Sequence, residues 1–208
     1  MKKVDSKKLL KRTSLLDTAF ELFTTKGFSN TSVSEITSKA GIAKGTFYLY
    51  FKDKYDIRNK LIAHETSKLF RTAHVCLIRE KKKNAQSGIS SNCCEDMIFI
   101  ADVILDIMNK NKNLLNLISK NLSWGLFKDA VANTIPDDEN DFKQIYLDFL
   151  KNSGVEFDNP EIMLYQIVEY IGASAYSPIL YNEPVGIEEF KPYMHRTIEA
   201  IINSHVVK

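Results

Sequence analysis

Apolar residues recur at helical spacing along almost the whole chain. Steps of about three, four and seven residues place side chains on one face of an α-helix. The pattern predicts a first helix from Leu9 to Gly27 and a long fourth helix from Lys54 to Arg79. No strand pattern is present, so we predict an all-α protein of about nine helices. The last five are predicted at about 93–109, 112–131, 138–153, 160–177 and 187–205.

Two short helices and a turn are predicted between the first and fourth helices. Ser32 and Glu35 have the spacing of a capping box, which starts a helix. Gly41 is predicted to end that helix, because glycine adopts the left-handed conformation at low cost. The segment from Lys44 to Phe51 is then predicted to form a helix of about two turns. The first three helices would make a small unit that needs support from the fourth helix.

The predicted helix between residues 44 and 51 has an unusual composition for a core helix. Phe47 and Phe51 are four residues apart, so both can anchor the helix inward. Gly45 lets another backbone approach closely. The other positions can donate hydrogen bonds to a phosphate backbone, and they are Lys44, Thr46, Tyr48 and Tyr50. This arrangement favours a helix-turn-helix that reads duplex DNA.

The sequence resembles the DNA-binding domain of TetR-family transcriptional regulators in three segments, Ala40 to Ile42, Lys44 to Phe51 and Asp53-Lys54. The resemblance extends from Leu9 to about residue 57. It implies a DNA-binding domain at 1–55 and a helical effector-binding and dimerisation domain at 56–208. With the residue types themselves, it assigns DNA contacts to Ser32, Lys44, Gly45, Thr46, Tyr48, Tyr50 and Lys54.

Two positions depart from the family pattern. Ala43 stands where members often place a serine or threonine N-cap, and loss of a cap costs about 1 kcal/mol. Tyr55 stands where the resemblance leads us to expect an acidic residue. We therefore expect the DNA-reading helix to be loosely held in the absence of DNA.

The distribution of charge supports a polyanionic partner for the amino-terminal end. The net charge is only +2, with 28 Lys and Arg against 26 Asp and Glu. Residues 1–60 contain 13 basic and 6 acidic residues, whereas residues 61–208 contain 15 and 20. A solvated basic face is the common meaning of one charge run, but here the motif favours nucleic acid.

Cysteine usage and the absence of export signals favour the cytoplasm. Cys93 and Cys94 are neighbours that cannot easily form a disulfide with each other, and Cys76 is the only other cysteine. The basic start of the chain lacks the apolar stretch of a signal peptide. The apolar segment 162–182 is long enough to cross a bilayer, but Glu169 and several polar residues favour a helix buried in protein.

The sequence gives no catalytic signature, so we predict neither an enzyme nor a cofactor. His64-Glu65 lacks the second histidine of a zinc protease helix. Residues 172–176 lack the second glycine of a nucleophile elbow, and the four histidines lack metal-ligand spacing. Two alternatives to a regulator remain, a DNA-independent helical scaffold and an enzyme with an unrecognised site in the sensor cavity.

A ligand-responsive regulator needs a cavity for its effector, and we expect that cavity between helices of the second domain. Its expected walls are Phe99, Trp124, Phe127 and Tyr165. Glu169, if it faces inward, would favour a cationic or hydroxylated ligand. The resemblance implies a small apolar or amphipathic effector that releases a repressor from its operator.

We also expect a twofold homodimer built from helices 160–177 and 187–205. The first of these is apolar on nearly every side, and Gly172 permits close approach of a second copy. The second carries a coiled-coil-like stripe formed by Ile187, Phe190, Met194, Ile198, Ile201 and His205. A symmetric dimer would bind a pseudo-palindromic operator of double-stranded DNA.

Overall fold

The structure is a computed structural model that describes residues 3–88, 90–119, 121–127, 146, 150–151 and 153–207. Within these residues it contains nine named helices and no strand, apart from an isolated bridge between Phe157 and Val206. The helices are α1 (Lys3–Thr25), α2 (Val33–Lys39), α3 (Lys44–Phe47), α4 (Lys54–Gln86), α5 (Cys93–Lys110), α6 (Lys112–Ser119), α7 (Pro160–Ser174), α8 (Tyr176–Tyr181) and α9 (Ile187–Ser204). The predicted all-α architecture is confirmed.

The chain forms two compact units, and the division falls inside α4. The amino-terminal unit comprises Met1–Glu65 and the carboxy-terminal unit comprises Thr66–Lys208. The structural division therefore lies further along α4 than the domain boundary after residue 55 that the resemblance implied. None of the helices in the described ranges is both long and apolar enough to cross a membrane.

The amino-terminal unit has a continuous apolar core. From α1 it buries Leu15, Leu16, Ala19 and Phe23. To these the later elements of the unit add Ile36, Phe47, Phe51, Ile57, Leu61 and Ile62. Gly27 lies just after the end of α1 and has a φ of +86°. Residues with a Cβ adopt this conformation only at a cost. The core thus joins all four helices of the unit.

Three predicted helices have different bounds in the structure. α4 continues to Gln86 rather than ending at Arg79, because the basic run and the following Asn-Ala-Gln contain mostly good helix formers. The predicted helix 112–131 is interrupted, because α6 ends at Ser119 and helical backbone resumes only at Trp124. Ser123 precedes this second segment, and its side chain accepts a hydrogen bond from Leu126 N. Most of the predicted helix 138–153 lies outside the described residues.

The predicted helix 160–177 is divided into α7 and α8 around Ala175. Pro178 has no N–H and cannot donate to the carbonyl of Ser174, which interrupts the helical hydrogen bonds. Within α7, Ser174 Oγ donates a hydrogen bond to Tyr170 O at 2.6 Å. The apolar segment 162–182 is therefore divided between two helices.

The apolar stripe of α9 packs mainly into the core of its own subunit, and a dimer contact through this helix stays a prediction. α9 packs against α5 and α7, and it buries Ile187, Met194, Ile198 and Ile202. Phe190 and Ile201 are only half-buried. Polar contacts with α5 flank the stripe, since Lys191 Nζ lies 2.7 Å from Asp106 Oδ1 and His195 Nε2 lies 2.8 Å from Asp102 Oδ1. Periodicity identified an apolar stripe on α9 but not what the stripe packs against.

Candidate nucleic-acid interface and cavity

The helix-turn-helix begins with the predicted capping box, which the structure confirms. Ser32 Oγ accepts a hydrogen bond from Glu35 N at 3.2 Å, and Glu35 Oε2 accepts one from Ser32 N at 2.8 Å. Hydrogen bonds from Lys26 and then from Ser32 lower the pKa of Glu35 from 4.5 to about 2. The stabilising contribution of ionised Glu35 is therefore present above about pH 4.5 and is lost as the pH falls toward 2.

The turn after α2 is fixed by a Schellman motif. Gly41 has a φ of +65°, its N–H donates to Ser38 O at 3.2 Å, and Ile42 N donates to Thr37 O at 2.9 Å. These two bonds satisfy the last carbonyls of α2 and reverse the chain direction within two residues. They position the start of α3, as the glycine in the sequence predicted.

α3 is shorter than the predicted two turns. Its regular part ends at Phe47, and tighter turns carry the chain onward, with Leu49 N bonded to Thr46 O at 3.2 Å and Tyr50 N bonded to Phe47 O at 2.9 Å. Ala43 occupies the N-cap and provides no side-chain hydrogen bond. The helix therefore lacks the side-chain cap that would extend its regular first turn.

Two phenylalanines hold this segment against the core. Phe47 and Phe51 are both buried, and their ring centroids are 5.4 Å apart. Tyr48 is 53% exposed and Leu49 is 80% exposed. The buried phenylalanines hold the backbone of this segment in place. The predicted DNA-contacting residues Tyr48 and Tyr50 lie between them.

The structure brings most of the predicted DNA contacts to the surface of the amino-terminal unit. Lys44, Gly45 and Tyr48 are exposed, whereas Thr46 and Tyr50 are half-buried. A Cβ at Gly45 would meet no atom within 4 Å, so its backbone is open to a close approach from outside. Ser32, at the start of α2, is also exposed.

Lys54 differs from the other predicted contacts because its ammonium group already has partners inside the unit. Its Nζ donates to Phe28 O at 2.9 Å and lies 4.4 Å from the centre of the Phe28 ring. Arg58 also lies over this ring, at 4.8 Å, and Tyr55 contacts it edge-on at 5.1 Å. Phe28 thus organises a basic cluster that the sequence did not reveal, and Tyr55 has a packing role there.

A threonine at position 43 is expected to stabilise the amino-terminal unit. Ala43→Thr would supply the missing N-cap oxygen and raise the free energy of unfolding by about 1 kcal/mol. Ala43→Val is the matched control, since valine has the same shape without a hydroxyl. Thermal unfolding of the two variants measures the difference, and equal melting temperatures would show that α3 gains nothing from a cap.

The carboxy-terminal unit encloses a cavity of about 260 Å³. Its wall on α4 consists of Thr66, Leu69, Phe70 and His74. From α5, α6 and α7 the lining includes Met97, Ile100, Ala101, Ile104, Met108, Leu115, Ile118, Leu164, Ile167, Val168, Glu169 and Ile171. Side chains from different elements therefore combine into a mostly apolar chamber, as ligand pockets commonly are.

Among the five residues expected at the cavity, the structure places Glu169 on its lining. Phe99 is half-buried on α5 and is not a lining residue. The other three pack on one another, with Trp124 stacked on Phe127 at 5.1 Å and in edge contact with Tyr165 at 5.1 Å. Phe127 in turn contacts the lining residue Phe70 at 5.4 Å. The aromatic cluster thus lies next to the cavity rather than around it.

Burial shifts several pKa values in the carboxy-terminal unit. It lowers the pKa of His74, which favours the neutral imidazole, and it raises that of Tyr146, whose hydroxyl donates to Pro160 O at 2.9 Å. Burial, followed by the charge of Asp96, raises the pKa of the Cys93 thiol to about 11. A thiol that stays protonated is a poor nucleophile, so its environment does not favour redox sensing.

Comparison with known proteins identifies the amino-terminal unit. Residues 15–61 match the family model for bacterial regulatory proteins of the tetR family. Relatives include a regulator named YerO from Bacillus subtilis, 48% identical over 21% of this chain and 15% of its own length, and AcrR from Shigella flexneri, 42% identical over 24% and 23%. The chain thus spans less than a quarter of the length of these two relatives.

Solved structures resemble the fold over nearly the full length. A TetR-family protein from Syntrophomonas wolfei has a TM-score of 0.62 at 19% identity, covering 93% of this chain and 95% of that one. FadR from Bacillus halodurans has a TM-score of 0.60 at 15% identity, covering 90% and 94%. The helix-turn-helix geometry and the family match agree, and residues 15–61 form a DNA-binding domain of the tetR-family type within a chain whose fold resembles these structures.

Proposed function

We propose that this protein is a repressor that binds operator DNA through residues 44–50 and is released by a small apolar or amphipathic effector. The supporting observation is the exposed segment carrying Lys44 and Tyr48, which Phe47 anchors in a domain of the matching family. Exposed lysine and tyrosine donors suit the phosphates of a duplex. The protein would act in the cytoplasm by binding, without catalysis.

The DNA-reading segment, residues 44–50, is short, so we expect a symmetric dimer to bind the operator with two copies of it. Two copies can occupy major grooves about one helical turn apart and read a pseudo-palindromic site. The exposed face of α7 is the better candidate for the dimer contact, since Ile162 is 49% exposed and Gly172 and Ala173 lie on the surface. On α9 only the side opposite its buried stripe can contribute.

Ile162→Glu is expected to convert the dimer into a monomer. A charge placed inside an apolar interface has no partner and must be desolvated, which disfavours association. Light scattering would give twice 23.8 kDa for the unmodified chain and 23.8 kDa for the variant. Val155→Glu, at another exposed apolar position, is the control and should remain dimeric. A mass of 23.8 kDa for the unmodified chain at micromolar concentration would contradict the dimer.

Effector control would pass through α4, which contributes to both units. Ile57 and Leu61 on this helix are buried in the amino-terminal unit, whereas Leu69 and Phe70 line the cavity. A ligand that binds one conformation of α4 more tightly shifts the population of DNA-competent dimers. The FadR structure from Thermus thermophilus, 20% identical with a TM-score of 0.57, contains lauroyl-CoA, so a protein of similar fold binds a ligand with an apolar chain.

A gel-shift assay with the DNA that flanks the coding gene tests the proposed function. We expect a retarded complex at 50 mM salt that weakens by at least about a hundredfold at 200 mM, because basic side chains displace counterions from the phosphates. A small apolar or amphipathic effector should dissociate the complex. A DNA-independent scaffold would give no retarded complex at either salt concentration.

A further inference from the structure

The cavity wall contains a buried hydroxyl group without a hydrogen bond. Thr66 is 2% exposed, and its Oγ1 has no hydrogen-bond partner. It lies on the lining of the cavity, on the same stripe of α4 as Leu69 and Phe70. Buried polar atoms in native proteins are almost always paired, so an unpaired hydroxyl on a residue that lines a cavity points to a partner supplied by a ligand.

The charges around the cavity select among possible ligands. The described part of the lining contains no lysine or arginine, so that part of the wall offers an anionic group no countercharge. Glu169, the acidic residue on that lining, offers an anion no favourable contact. Burial lowers the pKa of His74, so this lining residue is largely neutral at neutral pH. Desolvating a carboxylate or phosphate in this chamber would therefore be unfavourable.

A cationic ligand is also disfavoured. Glu169 is the acidic residue on the described lining, and its side chain is exposed, so water screens its attraction for a cation. The buried part of the wall offers apolar surface and the Thr66 hydroxyl instead. A neutral hydrogen-bonding group matches these surroundings without the cost of burying a charge.

The volume limits the size of the ligand. The cavity measures about 260 Å³. A cavity of about 150 Å³ holds one benzene ring, so this chamber suits a ligand of about ten non-hydrogen atoms. Most of them must be carbon, because the walls are mostly apolar.

We infer that the effector is a neutral molecule of about this size, with an apolar body and one hydroxyl or carbonyl oxygen that pairs with Thr66 Oγ1. The inference rests on the proposed function, since it specifies the effector of the proposed repressor. It assigns Thr66 as the residue that selects for the ligand's oxygen, a role that sequence reasoning did not give it.

Calorimetric titration with three nine-carbon probes tests the inference. 1-Nonanol is neutral and has a hydroxyl, nonanoate is anionic at pH 7.5, and nonylammonium is cationic. We expect 1-nonanol to bind the unmodified protein at least about tenfold more tightly than either charged probe. Tighter binding of nonanoate or nonylammonium than of 1-nonanol, or no binding of any probe, would overturn the inference.

Matched variants test the role of the hydroxyl. Thr66→Val keeps the shape and removes the oxygen, so 1-nonanol should bind about tenfold more weakly. Thr66→Ser restores the oxygen and should bind within about threefold of the unmodified protein. Thr66→Val should also melt at a higher temperature without ligand, because it no longer buries an unpaired hydroxyl. Equal 1-nonanol affinity for Thr66→Val and the unmodified protein would remove Thr66 from the site.

Operator binding in the absence of any probe separates the two proposals. Normal operator binding combined with failure of 1-nonanol to bind would defeat this inference alone. Absence of operator binding by the unmodified protein would instead defeat the proposed function, whatever the probes do.

Discussion

Replacing Lys44 and Tyr48 together with alanine is expected to weaken operator binding about a thousandfold. Each of the two side chains would make one hydrogen bond to DNA, so a dimer would make four such bonds. One hydrogen bond contributes a net free energy of about 1 kcal/mol. The total of about 4 kcal/mol corresponds to a thousandfold change in dissociation constant. Fluorescence anisotropy with labelled operator DNA measures the change.

The double variant must also remain folded for this result to be informative. Lys44 and Tyr48 are exposed, so thermal stability should change by less than about 1 kcal/mol. Lys110→Ala with Tyr181→Ala is the matched control, because it removes an exposed lysine and an exposed tyrosine from the carboxy-terminal unit. Operator affinity should stay within threefold in this control. Equal losses in both double variants would mean that residues 44 and 48 have no special role.

Phe47→Ala is expected to unfold the amino-terminal unit at moderate temperature. Phe47 is fully buried and its ring contacts those of Tyr48 and Phe51 at 5.3 and 5.4 Å. Truncating a buried phenylalanine costs about 3–5 kcal/mol, which is a large part of the stability of a small domain. The melting temperature of this unit should fall by more than about 10 °C.

Leu49→Ala is the control for this prediction, because Leu49 is 80% exposed only two residues away. Its melting temperature should remain within about 3 °C of that of the unmodified protein. Circular dichroism during heating measures both variants. A Phe47→Ala variant as stable as Leu49→Ala would show that the DNA-reading segment is not anchored by its phenylalanines.

Local chemistry explains why much of the helix-turn-helix could be predicted from sequence. The capping box of Ser32 and Glu35 and the left-handed Gly41 each depend on residues at most a few positions apart. The length of α3 was overestimated, because its apolar and polar spacing continues to Phe51 although the regular helix ends at Phe47. Periodicity does not distinguish a helix from the tight helical turns that follow it.

The cavity could not be predicted in the same way, because its wall combines elements that are distant in sequence. Aromatic composition indicated buried residues, yet Trp124, Phe127 and Tyr165 contact one another beside the cavity. Thr66 carries no sequence signal, since an unpaired hydroxyl is recognisable only after its surroundings are known. For α9, periodicity identified the apolar stripe but could not distinguish packing within the subunit from packing against a partner.

Footprinting of the DNA that flanks the coding gene shows whether residues 44–50 bind an operator. We expect a protected, pseudo-palindromic segment with half-sites about one helical turn apart. Protection should disappear when Lys44 and Tyr48 are replaced by alanine. Identical protection by the unmodified protein and by this double variant would contradict the claim that the surface beginning at Lys44 reads the operator.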